Sequence, residues 1–395
     1  MAGIFQRLYE NAPVSRIELA RLTNLNKATV TNLINDLLKN KFIREIGETM
    51  NKRAGRREVL LALNPQRGCF LSAEIGVGFI SIICTNFAAE VIWRQRKPIE
   101  DLRPEFLLKE TAMLLKKARR IGERKCGPLQ GLAIGIPGLI DQKSGTLIYA
   151  PNLNWRNVEV LPFFQKHFKV PVFIDNEATF AALGEKFFGV AKGFNNVLYI
   201  SAGVGIGGGL IINGHLFNGA SGYASEFGHM TMDPGGRPCA CGNTGCWETQ
   251  ASQAALFRKI KEAISGGEVS IIKETAGGDL DDLCLPDIVE AAEKNDAVAL
   301  AALEKIGVFL GIGIDTLIKA FNPELVVFGG ILSLAGRFLL PAINDELKKR
   351  GMPERADETP VVLAQYGSDA AVMGGIAKIF QTILANPQIS ETRTK

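Results

Sequence analysis

His229, Cys239, Cys241 and Cys246 set one of the chain's three histidines just upstream of three of its seven cysteines. Four nitrogen and sulfur donors this close in sequence point to a tetrahedral zinc site, because thiolate and imidazole are the ligands that ion favours. The segment Cys239-Ala240-Cys241-Gly242-Asn243-Thr244-Gly245-Cys246 carries two glycines that let the chain fold back. All three sulfurs can then face one centre, with His229 at the fourth corner. Four protein ligands leave no position open for water, which makes the metal structural rather than hydrolytic. The other reading is ordinary buried thiols; the density of the C-x-C-x4-C spacing favours the metal.

At 395 residues and 47% hydrophobic content, the chain has material for about two or three globular domains. The remaining cysteines, Cys69, Cys84, Cys126 and Cys284, are scattered and the total is odd. That argues against a disulfide framework and for a reducing, cytoplasmic setting. There is no N-terminal apolar segment of the export type and no unbroken apolar run of about 18 residues, so neither secretion nor membrane spanning is expected.

The net charge of +4 conceals an asymmetry. Residues 1–67 hold 12 Lys and Arg against 6 Asp and Glu, whereas the remainder holds 33 against 35. A positive patch confined to a small N-terminal segment suits a polyanion, although a solvated surface has the same composition.

The pattern in that segment is specific. Ile4, Phe5 and Leu8 share one helical face before Asn11-Ala12-Pro13 ends the helix. Ser15 and Glu18 form an S-x-x-E capping box for a second helix, Arg16 to Leu22, bearing Ile17, Leu19, Ala20 and Leu22. After the turn Thr23-Asn24-Leu25-Asn26, a third helix runs from about Lys27 to Lys39 with Val30, Leu33, Ile34, Leu37 and Leu38 inward. Two strands, Phe42 to Ile46 and Glu58 to Leu63, then flank a loop containing Lys52, Arg53, Arg56 and Arg57. This is the plan of a winged helix-turn-helix over residues 1–64. The candidate DNA contacts are Ser15, Asn26, Lys27, Thr29, Thr31 and Asn32 around the third helix, and Arg53, Arg56 and Arg57 in the wing. A three-helix protein-interaction module with a charged hairpin is the alternative.

After the linker Asn64-Pro65-Gln66-Arg67-Gly68, strands and helices alternate to the end of the chain, which predicts an α/β fold. Leu71 to Ile80 and Tyr199 to Gly209 are both strands that pass through a glycine turn into another strand, the mark of an internal duplication. Facing glycine hairpins are how actin-like kinases hold nucleotide phosphates. A Rossmann reading of Gly203-Val204-Gly205 fits less well, because a strand, Gly209 to Asn213, follows where a helix should begin.

Glu226-Phe227-Gly228-His229, the cysteine segment ending in Cys246-Trp247-Glu248, and Ile174-Asp175-Asn176-Glu177-Ala178 together resemble the ROK family of repressors, open reading frames and kinases. With its N-terminal winged helix, the chain is most similar to the family's sugar-responsive repressors of xylose operons. The resemblance implies an actin-like, ribonuclease H-like two-lobed domain over residues 69–387. The first lobe would hold about 69–190 plus a C-terminal helix at 370–385, the second about 191–369, and 388–395 would be a disordered tail. It also implies a structural Zn2+ and a sugar held by Asn176, Glu177, Glu226, His229 and Glu248. The bland alternative for Glu248 is a carboxylate ahead of a helix expected over Thr249 to Ile264.

Three departures from the family's kinase pattern imply that phosphoryl transfer is lost. Asn176-Glu177 replaces an Asn-Asp pair and leaves Glu177 as a vestigial base. The first turn, Glu74-Ile75-Gly76-Val77-Gly78, lacks the leading aspartate and the threonine of D-x-G-G-T, and Gly203-Val204-Gly205 replaces G-T-G. The expectation is a non-enzymatic repressor that binds operator DNA and a sugar, first of all xylose, as a homodimer or homotetramer. A residual ATP-dependent sugar kinase is the alternative.

Overall fold

The structure, a computed structural model, describes residues 2–50, 57–351 and 359–386. The N-terminal module contains helices Ala2–Asn11, Arg16–Thr23 and Lys27–Lys39, then strands Ile43–Met50 and Arg57–Leu63. Ser15 Oγ accepts the Glu18 N–H at 3.2 Å and Asn26 Oδ1 accepts the Thr29 N–H at 2.8 Å, so each later helix begins on a side-chain cap. Asn24, in the left-handed region at φ 53°, turns the chain between them. Val14–Ser15, Arg57–Leu63 and Ile43–Met50 form a three-stranded antiparallel sheet. Ile4, Phe5, Leu8, Leu19, Val30, Ile34 and Leu37 are buried beneath it. Ile17 departs from the sequence expectation: it is 47% exposed, because the second helix turns its Leu19 face to the core.

The rest of the chain is built twice on one plan. The first sheet has strands Cys69–Gly76, Phe79–Asn86, Val91–Pro98, Leu129–Gly135 and Val172–Asp175. The first three form an antiparallel meander, and the last two add in parallel on the other side of Cys69–Gly76. The second sheet repeats that order and polarity with Val197–Ala202, Ile206–Ile212, His215–Leu216, Leu325–Gly329 and Val361–Leu363. The duplication inferred from the glycine turns is therefore a duplication of topology.

Each half ends in a helix, Glu177–Phe188 and Ala370–Ala385, and these pack on each other across the junction. A Cβ on Gly374 would come within 1.6 Å of the Phe180 carbonyl oxygen and one on Gly184 within 2.8 Å of the Gly374 nitrogen. Only glycine permits so close a crossing. Helix Ala370–Ala385 lies on the first sheet. Helix Glu177–Phe188, expected wholly within the first lobe, instead seats Ala178 and Ala182 over Gly207 and Gly209 of the second sheet, while Phe180 enters the core beside Phe70 and Val372. The small residues on one side of this helix select the glycine-bearing strand as its partner.

Alternation of strand and helix also fails locally. Between His215–Leu216 and Leu325–Gly329 the second half carries helices Glu248–Ala251, Gln253–Ser265, Ile272–Thr275, Leu285–Glu293 and Ala297–Phe321. The single helix expected over Thr249 to Ile264 is broken at Ser252, whose extended backbone and Oγ, accepting the Ala255 N–H at 3.3 Å, start a new helix. Helix Ala297–Phe321 is long and apolar enough in composition to cross a membrane, but its Leu303, Ile306, Leu310 and Ile314 lie in the core of the second lobe. A three-stranded insertion, Leu139–Asp141, Thr146–Ala150 and Trp155–Glu159, projects from the first lobe beside the cleft.

Candidate ligand cleft and metal centre

The two sheets face each other across a cavity of about 910 Å³. Both glycine turns reach it: Gly76 and Val77 from the first sheet, and Gly203, Val204 and Gly205 from the second. The Gly203 N–H donates to Gly205 O at 2.8 Å, and Gly203 O accepts from Gln253 N–H at 2.9 Å, which ties the turn to the new helix start. Gly207 and Gly208 also line the cavity, and with Gly209 they serve packing. The first and third seat the helix Glu177–Phe188, and a Cβ on Gly208 would meet the Phe227 ring at 2.3 Å.

Asn176, Glu177, Glu226, His229 and Glu248 all line this cavity, so the fold brings the proposed sugar ligands together. Asn176 is largely committed to the fold. Its Oδ1 caps the helix through Ala178 N–H at 2.8 Å and Thr179 N–H at 3.4 Å, and its Nδ2 donates to Gly138 O at 3.3 Å. Glu177 Oε2 is buried without a hydrogen-bond partner, and burial lifts this carboxyl to about 7, with Glu226 adding to the rise. Burial also raises Glu226, against the opposing pull of His229. Glu177 lines the cavity, and a buried carboxyl oxygen without a partner is a group whose hydrogen-bonding capacity a ligand can complete.

Next to these, the cysteine loop closes as a small hairpin. Cys239 N–H donates to Asn243 O at 2.8 Å and Gly245 N–H to Arg237 O at 2.8 Å. Gly245 sits at φ 70° with the Asp233 carbonyl where a Cβ would be, which excludes other residues there. One ring nitrogen of His229 and the Sγ atoms of Cys239, Cys241 and Cys246 all lie within 4.8 Å of one another. Cys241 Sγ and Cys246 Sγ are 3.6 Å apart, and Cys239 Sγ is 3.7 Å from His229 Nδ1. Zinc–sulfur and zinc–nitrogen bonds of about 2.3 and 2.0 Å give tetrahedral edges of about 3.5–3.8 Å. The residues present fit a zinc ion in both donor chemistry and spacing.

Glu248 joins the metal loop to the cleft. Its Oε1 accepts from Cys239 Sγ at 2.9 Å and lies 3.6 Å from His229 Nδ1, while its Oε2 accepts the Ile206 N–H at 3.4 Å. The other imidazole nitrogen of His229, Nε2, faces Glu226 Oε2 at 3.8 Å. Trp247, between the last cysteine and Glu248, is fully buried and donates from Nε1 to Phe309 O at 2.7 Å, which anchors the loop to the second-lobe core.

Several lining residues were not among the site residues expected from the sequence. Glu74 is buried, and burial together with the nearby Glu177 pushes its carboxyl up to about 8. Arg96 lies 3.5 Å over the Phe79 ring at the same wall. Gly330 (φ 77°), Ile331 and Ser333 form the far end of the cavity, and the Gly-Gly pair closing the apolar strand Leu325–Gly329 is the motif that could have flagged them. Tyr149 enters from the insertion.

On the N-terminal module, Asn26, Lys27 and Asn32 are exposed and Thr29 and Thr31 half-buried along the third helix. Ser15 corrects the set of DNA contacts: it is 5% exposed and its hydroxyl is spent on the helix cap. Arg53 and Arg56 lie outside the described residues. Arg57 pairs through its backbone with Met50 in the wing hairpin.

A duplicated pair of five-stranded sheets with crossed terminal helices around a cleft defines a two-lobed, actin-like fold. The ROK family model matches residues 70–382, and the chain belongs to the ROK family. It is 36% identical over 386 residues, 97% of its length and 96% of the relative's, to a putative xylose repressor of Caldicellulosiruptor. Among solved structures, a ROK family transcriptional regulator, homologous to the E. coli MLC protein, superposes with TM-score 0.83 at 28% identity, covering 99% of this chain and 98% of that one. A ROK glucokinase of Streptomyces griseus, solved with glucose and AMPPNP, superposes with TM-score 0.71 at 28% identity over 78% of this chain and 98% of its own.

Proposed function

We propose that this chain is a sugar-responsive transcriptional repressor that has kept the sugar half of a kinase cleft without its phosphoryl-transfer chemistry. The observation that carries the reading is the union, in one chain, of an exposed polar recognition helix, Lys27–Lys39, with a cleft on which Glu177, Glu226, His229 and Glu248 converge. Similarity to a xylose repressor over nearly the whole chain supports the same reading and makes xylose the first candidate effector.

Vicinal hydroxyls both donate and accept, so carboxylates such as Glu177 and Glu226 suit them. A zinc ion held by His229, Cys239, Cys241 and Cys246 would supply structural cross-linking with no open coordination site. His229 would then present Nε2, next to Glu226, to the cleft, coupling metal and ligand. Glu74 and Gly78 stand where the first phosphate-holding turn has its aspartate and threonine, Val204 replaces the threonine of the second, and Glu177 is a methylene longer than an aspartate base. Displacing a catalytic group by about 1 Å can cost roughly a hundredfold in rate.

On DNA, two copies related by a two-fold axis would place Asn26, Lys27, Thr29, Thr31 and Asn32 of each in successive major grooves, with Arg53, Arg56 and Arg57 on the backbone. Mobility-shift titration of the operator with xylose, glucose and N-acetylglucosamine tests the reading. Release by one sugar is expected, and indifference to all three sinks it. Sugar phosphate formed from ATP at about 1 per second would establish the kinase instead.

A further inference from the structure

The helix Glu177–Phe188 begins in the cleft and ends against the DNA-binding module. Its 12 residues span about 18 Å as one rod. At the N-terminal end, Asn176 and Glu177 line the cavity. At the C-terminal end, the last-turn carbonyls have no helical partners and must find others. Glu185 O takes the Gly189 and Ala191 N–H groups, each at 3.1 Å. Phe188 O accepts the Tyr366 hydroxyl at 3.1 Å, and Phe187 O accepts the Tyr9 hydroxyl at 3.3 Å. Tyr366 belongs to the two-lobed domain, but Tyr9 is on the first helix of the winged module.

Rings fill the rest of this joint. The Tyr9 ring centroid lies 4.6 Å from that of Phe380 and 6.3 Å from that of Phe188, and Phe42 of the module meets Phe87 at 5.8 Å. Apolar contact of this kind is non-directional and allows two bodies to slide. The Tyr9 hydroxyl adds a directional bond to the end of the rod that starts at the ligand. The seats at Gly184, Gly374, Gly207 and Gly209 hold that rod at backbone contact, so it shifts as a unit rather than bending.

We propose that Tyr9 is the positioning residue that couples the cleft to the DNA-binding module, through its hydroxyl on Phe187 O. The proposal rests on the sugar-sensor reading above. Ligand binding at Glu177 displaces the helix, and Tyr9 passes the displacement to the module.

The test compares the full-length wild type with Tyr9→Phe and Tyr366→Phe. Phenylalanine keeps the ring contacts and removes only the hydroxyl, so both variants retain the packing. The probes are D-xylose and a duplex selected from a random library by the wild-type chain. In the wild type, xylose weakens duplex binding by about tenfold or more. In Tyr9→Phe that ratio falls below about twofold, while duplex affinity without xylose and xylose affinity without DNA each stay within about twofold of wild type. Tyr366→Phe keeps the wild-type ratio. Full retention of the ratio in Tyr9→Phe, or its equal loss in Tyr366→Phe, overturns the assignment to Tyr9. A wild type whose duplex binding ignores xylose overturns the sensor reading for that sugar, and the coupling with it.

Discussion

The Tyr149 hydroxyl donates a 3.1 Å hydrogen bond to the carbonyl of Ala240, the residue between Cys239 and Cys241 of the histidine–cysteine cluster. Tyr149 comes from the first-lobe insertion and Ala240 from the second lobe, so the bond crosses the mouth of the cleft. The Arg156 guanidinium, 4.0 Å over the Tyr149 ring, braces the tyrosine from its own lobe. The cysteine loop is thus part of the second lobe by sequence and touches both lobes.

Tyr149→Phe is expected to weaken sugar binding about three- to tenfold, since a net hydrogen bond contributes about 1 kcal/mol. Metal content and sugar-free operator affinity stay unchanged. Isothermal titration with the effector sugar decides it, and an unaltered Kd would mean that the cleft closes without this latch.

Cys241→Ser removes one of four donors whose mutual spacing fits zinc. The purified wild type is expected to carry about one zinc per chain and the variant only a small fraction of that, with a Tm lower by several degrees. Metal binding of this kind is also folding free energy. Elemental analysis showing equal zinc in both proteins would remove Cys241 from the site.

Glu74 gives stability a pH dependence. Its folded-state value of about 8 stands well above the usual carboxylate value of about 4.3. Between those values the unfolded chain gives up a proton that the folded chain keeps, so stability falls as pH rises from about 4.3 to 8 and levels off above. Glu74→Gln should therefore match wild type near pH 4.5 and exceed it at pH 8.5 by on the order of 2–4 kcal/mol. Denaturant melts at the two pH values measure the difference, and parallel shifts at both would show that Glu74 ionises freely.

Gly313 lies under Trp247: a Cβ there would meet Trp247 Cε2 at 2.1 Å. Because Trp247 follows Cys246 and precedes Glu248, moving the indole moves the metal loop and the cleft together. Gly313→Ala is expected to cost about 1–3 kcal/mol of stability by overpacking and to lower sugar affinity as well. A variant with wild-type melting and wild-type sugar binding would show that the indole has room to shift.

Much of the site was legible because its determinants are local. The spacing of His229 and the three cysteines specifies a closed ligand set whatever surrounds it, and Ser15 and Asn26 mark helix starts through bonds made within three residues. Periodicity placed Val30, Ile34 and Leu37 inward for the same reason. Ile17 and the break at Ser252 escaped because a pattern of apolar residues does not say which face has a partner, or whether a serine will cap or continue a helix.

The sequence by itself singled out the cluster of His229 with Cys239, Cys241 and Cys246, the winged helix and the repeated strand-turn-strand, each written in neighbours along the chain. Only the tertiary structure decided that Glu74 stands beside Glu177, that the helix Glu177–Phe188 rests on Gly207 and Gly209 of the other half, and that Tyr9 meets Phe187 across 178 residues. Those relations depend on how two similar halves cross. Such a crossing is set by close packing of small residues against backbone, whose partners no local pattern names.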